Sequence, residues 1–381
     1  MKLARANVAI VCVVITYYLW AALAFNPISP NGYYNYLARG WQAGHLYTPI
    51  EVNPQLLALP NPYDPSVPDE IKVHDMALHK GHYFLYHGPA PALLTIYPYR
   101  ILTGKDLPEP IAVFFFASLG LIACAFALQK LNPKATPLHY LALGIANCVP
   151  FLLHRIWVYE LAIISGFACL SVAYAFTVFN RHHLAGLAMA FAILSRPHLA
   201  LALPFFSPRS WPTAALGLIA TLLHNYFRFD SPLEFGLHYL IAGPDQQTPN
   251  YSLQNLAPSL YLYWCEIPRL LSHFPFLAIH NLPPLNLPPK FFHENIMGAL
   301  WLCPFLLVSK PHWRPTAISL TLMLFLSSTG WVSQRYLVDF LPLLVLSSLA
   351  SKSKPALQLP LLIFGIATNL LLHIQGPYNA P

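Results

Sequence analysis

The chain has 381 residues, of which 56% are hydrophobic and only 9% charged, with a formal net charge of +7. Soluble domains carry roughly 25% charged residues, so this composition excludes an ordinary water-soluble protein and points to an integral membrane protein. The six cysteines form no metal-type pairs. Cys12, Cys124, Cys148, Cys169 and Cys303 fall in apolar stretches, where they act as small hydrophobes, and Cys265 stands alone in a loop.

Val8 to Phe25 is the first uncharged stretch, near the ~20 residues that cross a bilayer as a helix. Lys2 and Arg5 precede it and no small-residue cleavage site follows, so it reads as an uncleaved anchor with its N-terminus in the cytoplasm. A long polar interval, 26–110, comes next. It holds seven of the fourteen carboxylates: Glu51, Asp64, Asp69, Glu70, Asp75, Asp106 and Glu109. Loops of this length are functional or disordered, and the wealth of Tyr, His and Leu favours function. Within it, Tyr33, Tyr36, Leu37, Trp41 and Leu46 share one helical face, with Arg39 and Gln42 off it, which suits an interfacial helix. LPNPYDP (Leu59–Pro65) demands turns, so Asp64 is either a turn cap or a functional acid. VHDMALHKGHYFLYHGPAPALL (Val73–Leu94) carries Asp75 among His74, His79, His82 and His87. Asp75 is a solvated loop carboxylate or a site residue. A divalent cation near it is conceivable, although the spacing matches no ligand pattern.

Ile111–Leu128, Leu138–Leu153 and Leu161–Phe179 are the next predicted spans, with Lys130, Lys134 and Arg181 on inner turns. Leu184–Leu194 and Leu199–Phe206 flank Ser195–His198 and read as a broken half-depth hairpin. Ala214–Tyr226 leads to a second outer loop, 227–290. Asn295–Val308, Thr316–Ser328, Leu337–Ala350 and Leu357–Leu372 complete the pattern and leave the C-terminus outside. The expected fold is an all-α polytopic transmembrane bundle of about nine to eleven spans, forming one integral membrane domain over 1–381. On this topology all carboxylates lie on the outer side. A polar site there explains the bias, and so does the shortness of the inner turns.

Ionisable and polar groups also mark the outer span ends: Arg155 and Glu160; Arg196 and His198; His224, Asn225 and Arg228; Glu294; and Arg335, Tyr336 and Asp339. Charges at membrane depth mark substrate pathways, structural ion pairs or snorkelling side chains. Arginine suits phosphate because its planar fork donates two parallel hydrogen bonds. There is no phosphate-binding Gly loop, nucleophile elbow or HExxH motif.

GHYFLYHGP (Gly81–Pro89) resembles, with one extra residue, the G-x-Y-x-x-x-x-P stretch that follows the first-loop acid in GT-C glycosyltransferases of the family 39 type. YDP, HDxxL, YELAI, SRPHLAL, NYFRFDSPLEFG and RYLVDFLPLL extend the likeness, over most of the chain, to a group of bacterial membrane proteins assigned to glycosyl transfer. The resemblance implies transfer of a sugar from a polyprenyl-phosphate carrier at the outer face of the inner membrane, in service of the cell envelope. The carboxylate role falls to Asp75 or Asp64. Arg196, Arg335 and Arg155 become phosphate-binding candidates, with Glu160, His198, Asn225, Tyr336, Asp339 and His87 lining the substrate site. Many such transferases place the acid directly after the first span, where this chain has Asn31. Either the role has moved or the chain is not a transferase of the usual kind. A flippase for a polar lipid headgroup and a non-catalytic assembly subunit are the rival expectations. Neither a nucleic-acid partner nor a particular oligomer is expected.

Overall fold

The computed structural model describes residues 3–25, 32–242, 251–279, 286–351 and 355–376. Asn31 lies outside them. Four helices are long and apolar enough to cross a membrane: α1 (Arg5–Phe25), α5 (Glu109–Leu131), α8 (Val158–Val178) and α15 (Pro355–Gln375). They mark a membrane protein. In α8, 83% of the apolar stretch is buried, against 28% in α1, so α8 is central and α1 peripheral. Around α8 pack α5 and α9 (His182–Ser195), and α10 (Trp211–Phe229) covers α9. Gly217 of α10 allows that approach, because a Cβ there would stand 2.5 Å from the Ala190 Cα.

Several expected spans are interrupted. Leu138–Leu153 divides into α6 (Pro137–Ile145) and α7 (Val149–His154). Between them Cys148 has φ +66°, while the Asn147 side chain accepts from the Val149 amide at 3.0 Å and so competes with a continuous helix. Asn295–Val308 reduces to the single turn α12 (Ala299–Leu302) and a 3-10 segment, Pro304–Val308. Leu337–Ala350 starts within another 3-10 segment, Gln334–Asp339, before α14 (Leu341–Leu349). Pro304 and Pro342 explain both breaks, since proline removes a helical hydrogen bond. The broken hairpin is present: α9 stops at Ser195, Arg196 is extended, and a 3-10 helix runs over Pro197–Phe205. The remaining long element is α13 (Trp313–Ser328).

The first loop is folded. Its helix α2 (Tyr33–Gln42) buries Tyr33, Tyr34 and Leu37, whereas Trp41 and Tyr36 are half-buried. Asn35 stitches α2 to the far end of the loop by bonding both the amide (3.1 Å) and the carbonyl (3.0 Å) of Leu107. A short α3 (Pro54–Leu57) follows. A π-turn, Ala92–Ile96, runs into α4 (Tyr97–Thr103). The strands β1 (Met76–His79) and β2 (His82–Phe84) form a hairpin through Lys80 and Gly81, both at positive φ as a tight type I′ turn requires. The second loop adds β3 (Leu240–Ile241) antiparallel to β1, joining the two long loops in one small sheet. Two further pairs are β4 (Arg269–Leu270) with β5 (Leu277–Ala278), and the parallel β6 (Phe292–His293) with β7 (Trp331–Val332). Besides β3, the second loop carries the helix α11 (Leu256–Trp264). These strands depart from an all-helical expectation only in the loops. There the loop segments satisfy their backbone groups with each other.

Candidate functional site

The N-terminus of α8, the break after α9, the Gln334–Asp339 segment and the β1 hairpin converge at one end of the bundle. Gly88 makes the approach possible. A Cβ there would stand 2.0 Å from the Leu194 carbonyl oxygen and 2.6 Å from that of Ser195, so only glycine lets the first loop lie on the end of α9. The Tyr34 hydroxyl clamps the same residue, donating to the Gly88 carbonyl at 3.2 Å.

Asp75 sits immediately before β1 at φ +63°, its amide held by the Ile241 carbonyl at 2.8 Å. Positive φ is uncommon outside glycine, and the strand pairing holds it here. Asp75 is only 4% exposed, and its buried Oδ1 receives no hydrogen bond among the described residues. The His74 Nε2 lies 3.5 Å from Oδ1. Burial pushes the Asp75 carboxyl above the usual carboxylate range, opposed by the Tyr159 hydroxyl that faces it and by His74 and Arg335.

Arg335 is the hub of this cluster. Its Nη2 donates to Glu294 Oε1 at 2.9 Å and its Nη1 lies 3.7 Å from Glu160 Oε1. The guanidinium stands 4.4 Å from the Tyr159 ring centre and 5.7 Å from that of Tyr336. Glu160 also accepts from the Trp157 amide at 3.0 Å, capping the positive end of α8, and Glu294 accepts from Ser333 Oγ at 2.5 Å. On the other side of Tyr336, Arg196 stands 5.5 Å from the ring centre and donates to Asp339 Oδ2 at 2.8 Å. The His198 Nε2 lies 3.5 Å from the same oxygen. Both arginines therefore have carboxylate partners inside the protein.

His87 meets the Tyr159 ring edge-on at 5.4 Å. Burial and then the charges of Arg196, Arg335 and Arg228 hold its pKa well below the usual histidine value, so it is neutral at physiological pH. Asn225 supports this region indirectly. Its Oδ1 accepts from Arg228 at 2.8 Å, and Arg228 also donates to the Leu85 carbonyl. Beside the cluster opens a space of about 430 Å³, part of it open to solvent, walled by Tyr86, Tyr159, Phe292, Trp331, Tyr336 and Arg335.

Asp75, Glu160, Arg196, His198, Arg335, Tyr336, Asp339 and His87 thus come together. Asp64 does not join them. It is exposed, accepting from the Ser66 amide at 2.9 Å and the Ser66 hydroxyl at 2.6 Å, and these bonds lower its pKa. This is the geometry of a turn cap. Arg155 stacks at 3.3 Å on the Trp157 ring. The histidines of the first loop diverge: His79 faces Asp230 at 3.2 Å and His82 stacks on Tyr47 at 4.0 Å. Among the described residues no group of three or more His, Cys, Asp or Glu is arranged to hold a metal ion. Glu294 marks a span end in the sequence without being assigned there to the site, and Tyr159, Tyr86 and Trp331 enter it without having been chosen from sequence. Glu294 carried the same signal as Glu160, an acid opening an apolar stretch, whereas the aromatic wall is assembled from distant segments and has no local signature.

Comparison with family models, with curated proteins and with solved structures finds no match to this chain.

Proposed function

We propose that the protein is a membrane glycosyltransferase of GT-C type, moving a sugar from a polyprenyl-phosphate donor to an acceptor hydroxyl at the extracytoplasmic face. The observation that carries this reading is Asp75: a buried carboxyl whose Oδ1 receives no hydrogen bond among the described residues, facing Tyr159 and Arg335, which line an aromatic-walled space. Buried acceptors are nearly always satisfied, and an orphan of this kind calls for an absent partner. An acceptor hydroxyl would be that partner. In the reaction the acceptor oxygen bonds to the anomeric carbon, the bond from that carbon to the phosphate oxygen breaks, and the acceptor proton passes to Asp75. Such base assistance contributes about 10²–10⁴-fold. The charge on the departing phosphate is met by Arg335, joined by Arg196, which contacts the same Tyr336 ring. Aromatic walls suit a sugar ring, which presents apolar C–H faces. The orientation, with the two long loops outside, rests on the distribution of Lys and Arg, and the bacterial inner membrane is what the resemblance implies.

The test follows lipid-linked and glycosylated products by mass spectrometry in the producing cell for Asp75→Asn and Asp64→Asn. Loss of a product with Asp75→Asn but not with Asp64→Asn supports the reading; unchanged products with folded Asp75→Asn remove it.

A second reading, a flippase for a polar lipid headgroup, draws on the helix break at Ser195–Pro197 beside the partly buried Arg196–Asp339 pair. Broken helices build transporter sites. Headgroup translocation by purified protein in vesicles, with no covalent product, would favour it.

A further inference from the structure

The second long loop divides into two unlike parts. Residues 230–242 join the first loop over the candidate site, whereas residues 251–279 run along the outside of the bundle. This latter stretch of 29 residues contains only two formal charges, Glu266 and Arg269, and Glu266 is buried. Leu262, Tyr263 and Ile279 pack inward, but many of its large apolar side chains point outward: Leu253 is 83% exposed, Leu270 79%, Phe274 58%, Phe276 52%, Ile267 48% and Tyr261 46%. So concentrated an exposed apolar surface marks a contact with something apolar.

The anchoring of this stretch indicates what covers it. At one end Ser252 N bonds the Ser328 carbonyl at 2.9 Å and Asn255 Nδ2 reaches the same oxygen at 3.0 Å, tying it to the last turn of α13. The Trp264 indole lies 3.0 Å from Met323 Sδ, more than a turn further into α13, so α11 lies alongside that helix rather than above it. At the other end β5 packs against α15, and Ala278 is buried. The apolar outer side of α15 (Ile363 54%, Phe364 47%, Ile374 50% exposed) is a membrane-facing surface. The β4–β5 hairpin therefore widens an apolar belt that α15 already presents to lipid.

We propose that residues 251–279 form a collar immersed in the headgroup–acyl boundary of the bilayer that the protein spans, with Leu270, Phe274 and Phe276 as its deepest side chains. Arg269 reaches from the hairpin to the phosphate level, as long basic side chains do. The occupant is lipid. The proposal rests on the membrane reading of the four long helices and is independent of any catalytic activity.

The experiment uses full-length protein in liposomes of phosphatidylethanolamine and phosphatidylglycerol. The two exposed cysteines, Cys12 and Cys265, are replaced by alanine. Spin labels are then placed at Phe274→Cys and Leu270→Cys, with Leu370→Cys on α15 as the lipid reference and Ser66→Cys as the aqueous one. Labels at 274 and 270 are expected to favour oxygen over a water-soluble nickel chelate, as at 370, at about 5–10 Å below the phosphates. Chelate access equal to that at 66 overturns the proposal. Low access to both reagents, as under a protein partner, also overturns it. Should Phe274→Cys not fold, Leu270→Cys carries the same test alone.

Discussion

In the proposed reaction Asp75 is the residue on which the chemistry turns, and its environment makes definite demands. Its pKa is raised, chiefly by burial, so a reaction that needs the ionised form slows as pH falls through that raised value. The acid limb of the rate profile is therefore expected above the range of an exposed carboxylate. Tyr159→Phe removes a hydroxyl that lowers the Asp75 pKa, and should move the limb to still higher pH. A shift to lower pH would contradict the arrangement. Linkage gives the stability counterpart. A carboxyl whose folded pKa is raised contributes stability that is complete below its unfolded pKa and lost as pH rises through the folded one. Asp75→Asn is therefore expected to leave thermal stability in detergent unchanged or higher at pH 8 while activity falls about 10²–10⁴-fold. Arg335 behaves in the opposite way. Arg335→Met leaves Glu160, Glu294 and Asp75 without their shared cation, and breaking a buried ion pair costs about 3–5 kcal/mol. That loss should appear as a lower unfolding midpoint. A midpoint equal to wild type would mean that the three carboxyls do not depend on Arg335.

At the scale of elements, the site exists because a loop lies on a helix end. Gly88→Ala would drive a Cβ into the Leu194 and Ser195 carbonyls, so the first-loop segment after β2 must lift. Overpacking of this kind costs about 1–3 kcal/mol. Here it should also loosen the Asp75–Ile241 pairing, read as faster amide exchange across β1 and β3. Unchanged exchange would show that the loop is held by its other contacts. The hairpin itself was legible in retrospect, since Lys80-Gly81 between the apolar runs Met76–Leu78 and Tyr83–Leu85 is a turn signal. The helix breaks were less so. Leu138–Leu153 is mostly apolar and carries no Asp, Glu, Lys or Arg, yet Asn147 and the left-handed Cys148 divide it; hydropathy measures burial, not the continuity of hydrogen bonds. At Ser195–Pro197 a proline stood beside an arginine within an apolar run, and there the break could be read directly.

For the whole molecule, the expected arrangement places the first loop outside. A single cysteine at Ser66, exposed in the structure, should react with an impermeant maleimide from the extracytoplasmic side only. Labelling confined to the cytoplasmic side would overturn the orientation. Composition alone determined that this is a membrane protein, because so little charge cannot cover so large an apolar content. Sequence also located the four long helices and picked out Asp75, Arg196, Arg335 and Asp339, since ionisable groups are rare enough in apolar surroundings to stand out singly. Only the tertiary structure decided which of these groups meet. Asp64 and Asp75 look alike in sequence, eleven positions apart in one loop. One caps a turn in water; the other is buried by strands and arginines drawn from segments more than 100 residues away. Desolvation and ion pairing depend on distance through space, and that distance is set by packing.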